Sequence, residues 1–361
     1  MFDERTSVGL DVHARSVVAE AVDWRTGQVF SQRLVPVNDQ VLAWVGRLPG
    51  PVAVTYEAGP TGFGLARAFA GAGVRCVVVA PSKLERPAGD RVKTDRRDAR
   101  RLAHLLHIGE LPGVRVPSEA EEHARDLVRA REDVRADLMR ARHRVSKLLL
   151  RQGIVYSGGT TWTLVHAQWL HAQRFDSPAL RIAYAEALDA VASCADRRDR
   201  LDAAIEQIAH EQPWAATVAR LSCVRGIATL TAFGLSVEIG DWHRFTGATI
   251  GAYLGLVPSE FSTGSSRSQG PITKAGNTHA RRLLVEAAWH HRRPSSGPSR
   301  TLRTRRAAVP PAVRARARQA DARLHRRWTA LQARNKRPTI IAVAVARELA
   351  GWCWSLAVME T

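Results

Sequence analysis

Four carboxylates stand where phosphoryl-transfer chemistry could use them. Asp11 closes the apolar run of VGLD, and Glu57 closes the β-branched run of VAVTYE within TYEAGPTG. Asp95 and Asp98 lie three apart in KTDRRDA, a spacing that puts both on one face of a helix's first turn. Carboxylate oxygens on strand ends and a helix can hold two Mg2+ ions and still leave positions for phosphate and water. Each acid alone has a plainer role; Asp95 suits a helix N-terminus, where the macrodipole favours negative charge. Taken together, in this order and these surroundings, they read as a metal-binding set.

The elements that must position these acids alternate strand and helix. Strands are expected over 7–11, 16–22, 29–35, 52–57 and 74–80, with a turn at 23–28 containing Gly27. Helices are expected over 62–71 and 94–107, the second with Ala99, Leu102, Ala103, Leu105 and Leu106 on one face. Three strands followed by alternating helices and strands predict a mixed-sheet α/β domain over 1–117. Ser118 and Glu121 have the spacing of a capping box, opening a charged amphipathic helix to about 152, and a second runs over 177–212. The pair predicts an antiparallel coiled-coil arm over 118–212, either a spacer or a dimerisation element. A mainly α-helical domain follows over 213–361. It comprises two short helices about Gly226, an apolar helix at 250–258, a small-residue loop at 262–270 and a helix at 278–291. A Pro/Ser/Gly/Arg linker, a basic helix at 312–335 and an apolar helix at 338–358 complete it.

The chain has 361 residues and a net charge of +19, and its 45% apolar content excludes a disordered polyelectrolyte. The charge is localised: 267–337 holds 19 Lys and Arg against Glu286 and Asp321, a net +17. Such a region is an electrostatic footprint for phosphates; a solvated Arg-rich helix and linker is the plainer reading. The segment LSCVRGIATLTA resembles a helix-hairpin-helix, whose turn at Gly226 would bring backbone N–H groups to phosphate. Ala228 replaces the usual second glycine, and a plain helix-turn-helix of the core fits equally. The tryptophans suit core packing better than base stacking, and His290 and His291 lack a metal-ligand partner at useful spacing. Scattered cysteines without C-x-x-C spacing, and no apolar signal segment at the N-terminus, lead to the expectation of a soluble cytoplasmic protein.

VGLDVH, TYEAGPTG, KTDRRDA and GLVPSEFSTGSSRSQGPITKAGNTHARRLL together resemble the insertion-sequence transposases called the "one-ten" family, over nearly the whole chain. The resemblance implies an RNase H-like (RuvC-like) N-terminal domain whose Asp-Glu-Asp-Asp tetrad carries over as Asp11, Glu57, Asp95 and Asp98. It implies a C-terminal domain bearing a serine, on the pattern P-x-x-x-S-S-G, x-G-x-I-x-K-x-G-N/D and an Arg-bearing helix. That pattern falls on Pro258, Ser262, Thr263, Gly264, Gly270, Ile272, Lys274, Gly276, Asn277, Arg281 and Arg282. Thr263 departs from the second serine, which leaves Ser262 as the nucleophile candidate among its neighbours Ser265, Ser266 and Ser268. By composition alone the same stretch is a flexible turn. A serine hydroxyl needs activation by a base or a metal, and no Ser-His-Asp arrangement is evident locally.

The resemblance further implies a composite site drawn from different subunits of a homo-oligomer, a phosphoserine link, and donor and target DNA paired by a noncoding bridge RNA. Arg267, Lys274, Arg281 and Arg282 would position phosphates. A site-specific DNA invertase of the same family is the nearest alternative. A RuvC-like junction nuclease would need only the acids.

Overall fold

Runs of β-branched and apolar residues build a five-stranded mixed sheet. β1 (Thr6–Val12), β2 (Val17–Asp23) and β3 (Val29–Leu34) form an antiparallel meander, while β1 also pairs in parallel with β4 (Val52–Glu57), and β4 with β5 (Arg75–Val79). The resulting order is β3-β2-β1-β4-β5. Parallel neighbours need crossovers, supplied by α1 (Asn38–Val45) and α2 (Gly64–Gly71). α1 is not among the expected helices; its eight residues bury only Val41, Trp44 and Val45. α3 (Asp95–His107) lies on β1, β2 and β4 with Ala99, Leu102, Ala103 and Leu106 buried. The sheet's core centres on Val8, Leu10, Val54, Tyr56 and Phe69. This mixed α/β arrangement is consistent with an RNase H-like domain.

The computed structural model describes residues 4–84, 94–264, 266–294 and 297–360. It divides into two compact units, 1–118 and 119–361. In the second, α4 (Glu119–Arg151) and α6 (Pro178–Ile208) run antiparallel. Ala124 and Val128 share a core with Ile205 and Ala209, Arg131 pairs with Asp202, and Val145 clusters with Tyr184. Ser177 caps α6 by accepting the Leu180 N–H, and α5 (Leu164–Ala172) occupies the connection.

The helical remainder comprises α7 (Ala215–Leu221), α8 (Thr229–Ile239), α9 (Ile250–Tyr253), α10 (Thr278–Ala288), α11 (Arg300–Ala307), α12 (Pro311–Gln332) and α13 (Pro338–Ala357). α13 is apolar and long enough to cross a membrane, yet Ile341, Val345, Leu349, Cys353 and Leu356 are buried in this unit's core. It is a core helix.

Three expectations for this region are corrected. The helix expected at 250–258 stops at Tyr253, because Gly255 adopts φ 64° and the chain turns. The loop expected at 262–270 is a hairpin of β6 (Pro258–Thr263) and β7 (Ser266–Ile272), with Gly264 at φ 57° in its turn. Main-chain pairing, not apolar burial, holds its exposed tip, so composition concealed it. The linker after 292 contains α11, whose Leu302 and Arg306 are buried.

Candidate active site

The sheet and α3 bring the acids together. β1 and β4 are parallel neighbours, so Asp11 and Glu57 reach the same sheet end. Thr94 caps α3 by accepting the Arg97 N–H, which fixes the first turn carrying Asp95 and Asp98. Gly9 permits the close seat of that helix: a Cβ there would lie 1.8 Å from the Ala99 carbonyl oxygen. Glu20, buried on β2, accepts from Arg96 Nε at 2.7 Å and ties down the same turn.

Asp11, Glu57 and Asp98 line one cavity of about 80 Å³, together with His13 and Arg101. Asp95 joins through the neighbouring histidine. His13 Nε2 lies 3.2 Å from an Asp11 oxygen and 3.8 Å from an Asp95 oxygen, and these three ligand atoms fall within 4.8 Å of one another. His13 was not singled out in the sequence, although it lies in VGLDVH. Burial pushes the Asp11 carboxyl above the usual carboxylate range; His13 opposes the shift, and Asp95 and Asp98 add to it. Crowded hard oxygens whose charges repel are the donor set a divalent cation neutralises, so these residues fit a Mg2+-type ion.

The serine has a local partner that sequence reasoning missed. Residues two apart on a strand share a face, and the Ser262 hydroxyl donates to Glu260 Oε1 at 2.8 Å. Both are exposed near the hairpin tip, where Ser262 pairs with Arg267. The side chain of Arg267, and Ser265, lie outside the described residues, as does Lys93 of KTDRRDA.

The expected phosphate-binding residues are unevenly placed. Lys274 is exposed at φ 55°, its N–H bonded to the Gly255 carbonyl. Arg281 donates to the carbonyls of Leu254 and Ala275 at 2.9 and 2.8 Å, and Arg282 pairs with Glu286 at 2.7 Å and with Glu132. Both guanidiniums therefore already pin α10 to its surroundings. Gly226 has φ 88°, and a Cβ there would lie 2.6 Å from the Ala287 carbonyl oxygen, so packing against α10 alone accounts for a glycine.

Comparison with known proteins adds family-level findings. A model described as Transposase IS116/IS110/IS902 family matches residues 218–303. A DEDD transposase model of the IS110 group matches residues 8–153, a span that contains all four acids. A putative transposase, y4qE, of Sinorhizobium fredii is 40% identical over 97% of this chain and 88% of its own length. The transposase for insertion sequence element IS1533 of Leptospira borgpetersenii is 31% identical over 91% of this chain and 97% of its own. A probable family 20 transposase of Pseudomonas aeruginosa is 28% identical over 98% and 97%.

Proposed function

Because the chain belongs to the IS110 family of insertion-sequence transposases, enzymes that cut and rejoin DNA, we propose that Asp11, Glu57, Asp95 and Asp98 form its metal-binding tetrad and that Ser262 is its nucleophile. The observation that carries this reading is the convergence of Asp11, Glu57 and Asp98 on one cavity, with burial and neighbouring acids raising the Asp11 carboxyl. A divalent cation held there, Mg2+ by the chemistry of its donors, would supply charge neutralisation at the scissile phosphate.

The chain's own residues do the rest. Glu260 orients the Ser262 hydroxyl and accepts its proton as Oγ attacks phosphorus. The phosphorus–oxygen bond to the departing DNA strand breaks, its oxygen takes a proton from water, and Glu260 returns the serine proton to solvent, so protons balance. The phosphoserine retains the energy of the ester, so reversal by another strand's hydroxyl rejoins DNA without external energy. Lys274, exposed near the foot of the hairpin, suits a phosphate contact, as does Arg267 in the sequence of β7.

The same reading divides the chain into a RuvC-like domain (1–117), an antiparallel coiled-coil arm (118–212) and a serine-bearing domain (213–361). It assigns the protein to homo-oligomers that act on donor and target DNA under the guidance of a bridge RNA. The antiparallel packing of α4 and α6 supports the arm, and the localised +17 supports a polyanionic partner.

The test is a recombination assay with the element's flanking noncoding region supplied as RNA. Wild type, Asp98→Ala and Ser262→Ala are compared, and protein–DNA adducts are resolved on denaturing gels. Loss of adduct in Ser262→Ala with DNA binding intact is expected. An adduct persisting there removes Ser262 as the nucleophile, and cutting without any adduct favours a junction nuclease that needs only the acids. Recombination that proceeds without RNA removes the guide.

A further inference from the structure

α3 carries a second surface beside its acids. A cavity of about 670 Å³, within the range of small-ligand sites, is lined by Trp24, Gly27, Arg97, Arg100, Arg101 and His104 among others. No carboxylate contributes to its lining. Two of its lining side chains are aromatic: Trp24 and His104 lie tilted at 5.7 Å between centroids, and Trp24 also stacks on His107 at 4.0 Å and 13° between planes. Arg101 also lines the cavity of Asp11, Glu57 and Asp98, so the two cavities meet at one side chain. Among the described residues neither Arg100 nor Arg101 forms an ion pair, although Arg101 stands beside three acids. Arg97, Arg101 and His104 recur at i, i+4 and i+7, one helix face, spanning about 10 Å along the axis.

We propose that the DNA strand being cut continues from the acid cavity across this face of α3, with phosphates on Arg101 and Arg100 and one base seated against Trp24. The inference rests on the acid cavity being the cutting site. Unpaired guanidiniums grip phosphates at fixed geometry, and an aromatic face accepts any base. Together they hold the strand in register so that a single phosphate falls at the acids. Sequence-tolerant holding of this kind leaves target choice to other parts of the machinery.

The experiment uses the full chain and short single-stranded DNAs carrying iododeoxyuridine at successive positions, in EDTA so that binding is read without cutting. Irradiation is expected to cross-link one position to the peptide containing Trp24. Trp24→Leu is expected to weaken binding about 5- to 150-fold, the range for loss of one base–aromatic stack. Arg100→Glu, an exposed change that spares the core, should abolish the cross-link and flatten the salt dependence by about 0.7 per lost phosphate contact. Cross-links confined to peptides of 267–337, an unchanged salt dependence in Arg100→Glu, or cross-linking by RNA of the same sequence but not DNA would each overturn the proposal. Asp98→Ala separates the two readings. Cutting retained in that variant sinks the acid-site assignment, while the Trp24 cross-link is read independently of cutting.

Discussion

At the residue scale, the position of the four acids depends on how closely α3 can approach β1. The four acids were legible because their settings, two strand ends and one helix turn, are patterns of residue type. His13 and Glu260 were not, because each acquires its meaning from a neighbour fixed by the fold: His13 from Asp95 on α3, Glu260 from the strand geometry of a hairpin read as a loop. Gly9 tests how tightly the acid set depends on backbone approach. Gly9→Ala places a methyl 1.8 Å from the Ala99 carbonyl oxygen, and backbone cannot swing aside as a side chain would. Overpacking of this kind costs about 1–3 kcal/mol. Thermal unfolding should show that loss, and cutting should fall further than stability accounts for, since α3 carries Asp95 and Asp98. For Glu260, replacement by Gln keeps a hydrogen-bonding partner but removes the proton acceptor. Adduct formation should slow by about 10²–10⁴-fold, the range for a general base, with DNA affinity unchanged in a filter-binding assay. Adduct formation at the wild-type rate would leave Glu260 as a surface partner only.

At the scale of elements, one buried acid joins three helices behind the serine hairpin. Glu238 on α8 is fully buried and is bonded by Arg129 from α4 and by Asn277 and His279 at the start of α10, with Arg125 3.7 Å away. Burial alone would raise its carboxyl, but the bonds from His279, Arg129 and Asn277 outweigh it and hold the group at about 2. A folded-state value below the ordinary 4.5 means the stabilisation is complete above about pH 4.5 and is lost as pH falls towards 2. Acid titration by tryptophan fluorescence should therefore show the second unit loosening across that interval. Glu238→Ala should cost about 1–3 kcal/mol at neutral pH, because it leaves Asn277 and His279 without their buried partner and unties α4 from α8 at Arg129. Helices with a strong apolar period, such as α3, α12 and α13, were readable in advance to within a few residues. α1 and α11 were not: α1 buries only three of its eight residues, and α11 is so rich in arginine that it resembled a linker. The β6–β7 hairpin escaped because serine, threonine and glycine say nothing about pairing when neither face is buried.

At the scale of the whole molecule, the localised +17 is a mixture of two kinds of cation, and the structure separates them. Arg306 is buried and pairs with Asp321 at 2.5 Å, Arg316 lies over Trp352 and donates to Ser355, and Arg323 pairs with Glu348. These hold α11, α12 and α13 together, while Arg281 and Arg282 tie α10 to the chain before it and to α4, so they cannot all serve a nucleic acid at the same time. Exposed cations such as Lys274, Arg300, Arg303, Arg318 and Arg334 have no ion-pair partner among the described residues and are the ones free to release counterions. If all 19 Lys and Arg of the window met a phosphate, the slope of log K against log salt on duplex DNA would approach about −17. The partition predicts a clearly shallower slope. It also predicts opposite signatures for two substitutions in one basic region. Arg318→Glu should leave thermal unfolding nearly unchanged and flatten the salt slope by about one. Arg306→Ala should cost about 3 kcal/mol by stranding Asp321, and at temperatures where the variant stays folded its salt slope should match wild type. A shallower slope in Arg306→Ala, or destabilisation in Arg318→Glu, would mean that burial does not distinguish structural arginines from binding ones in this chain.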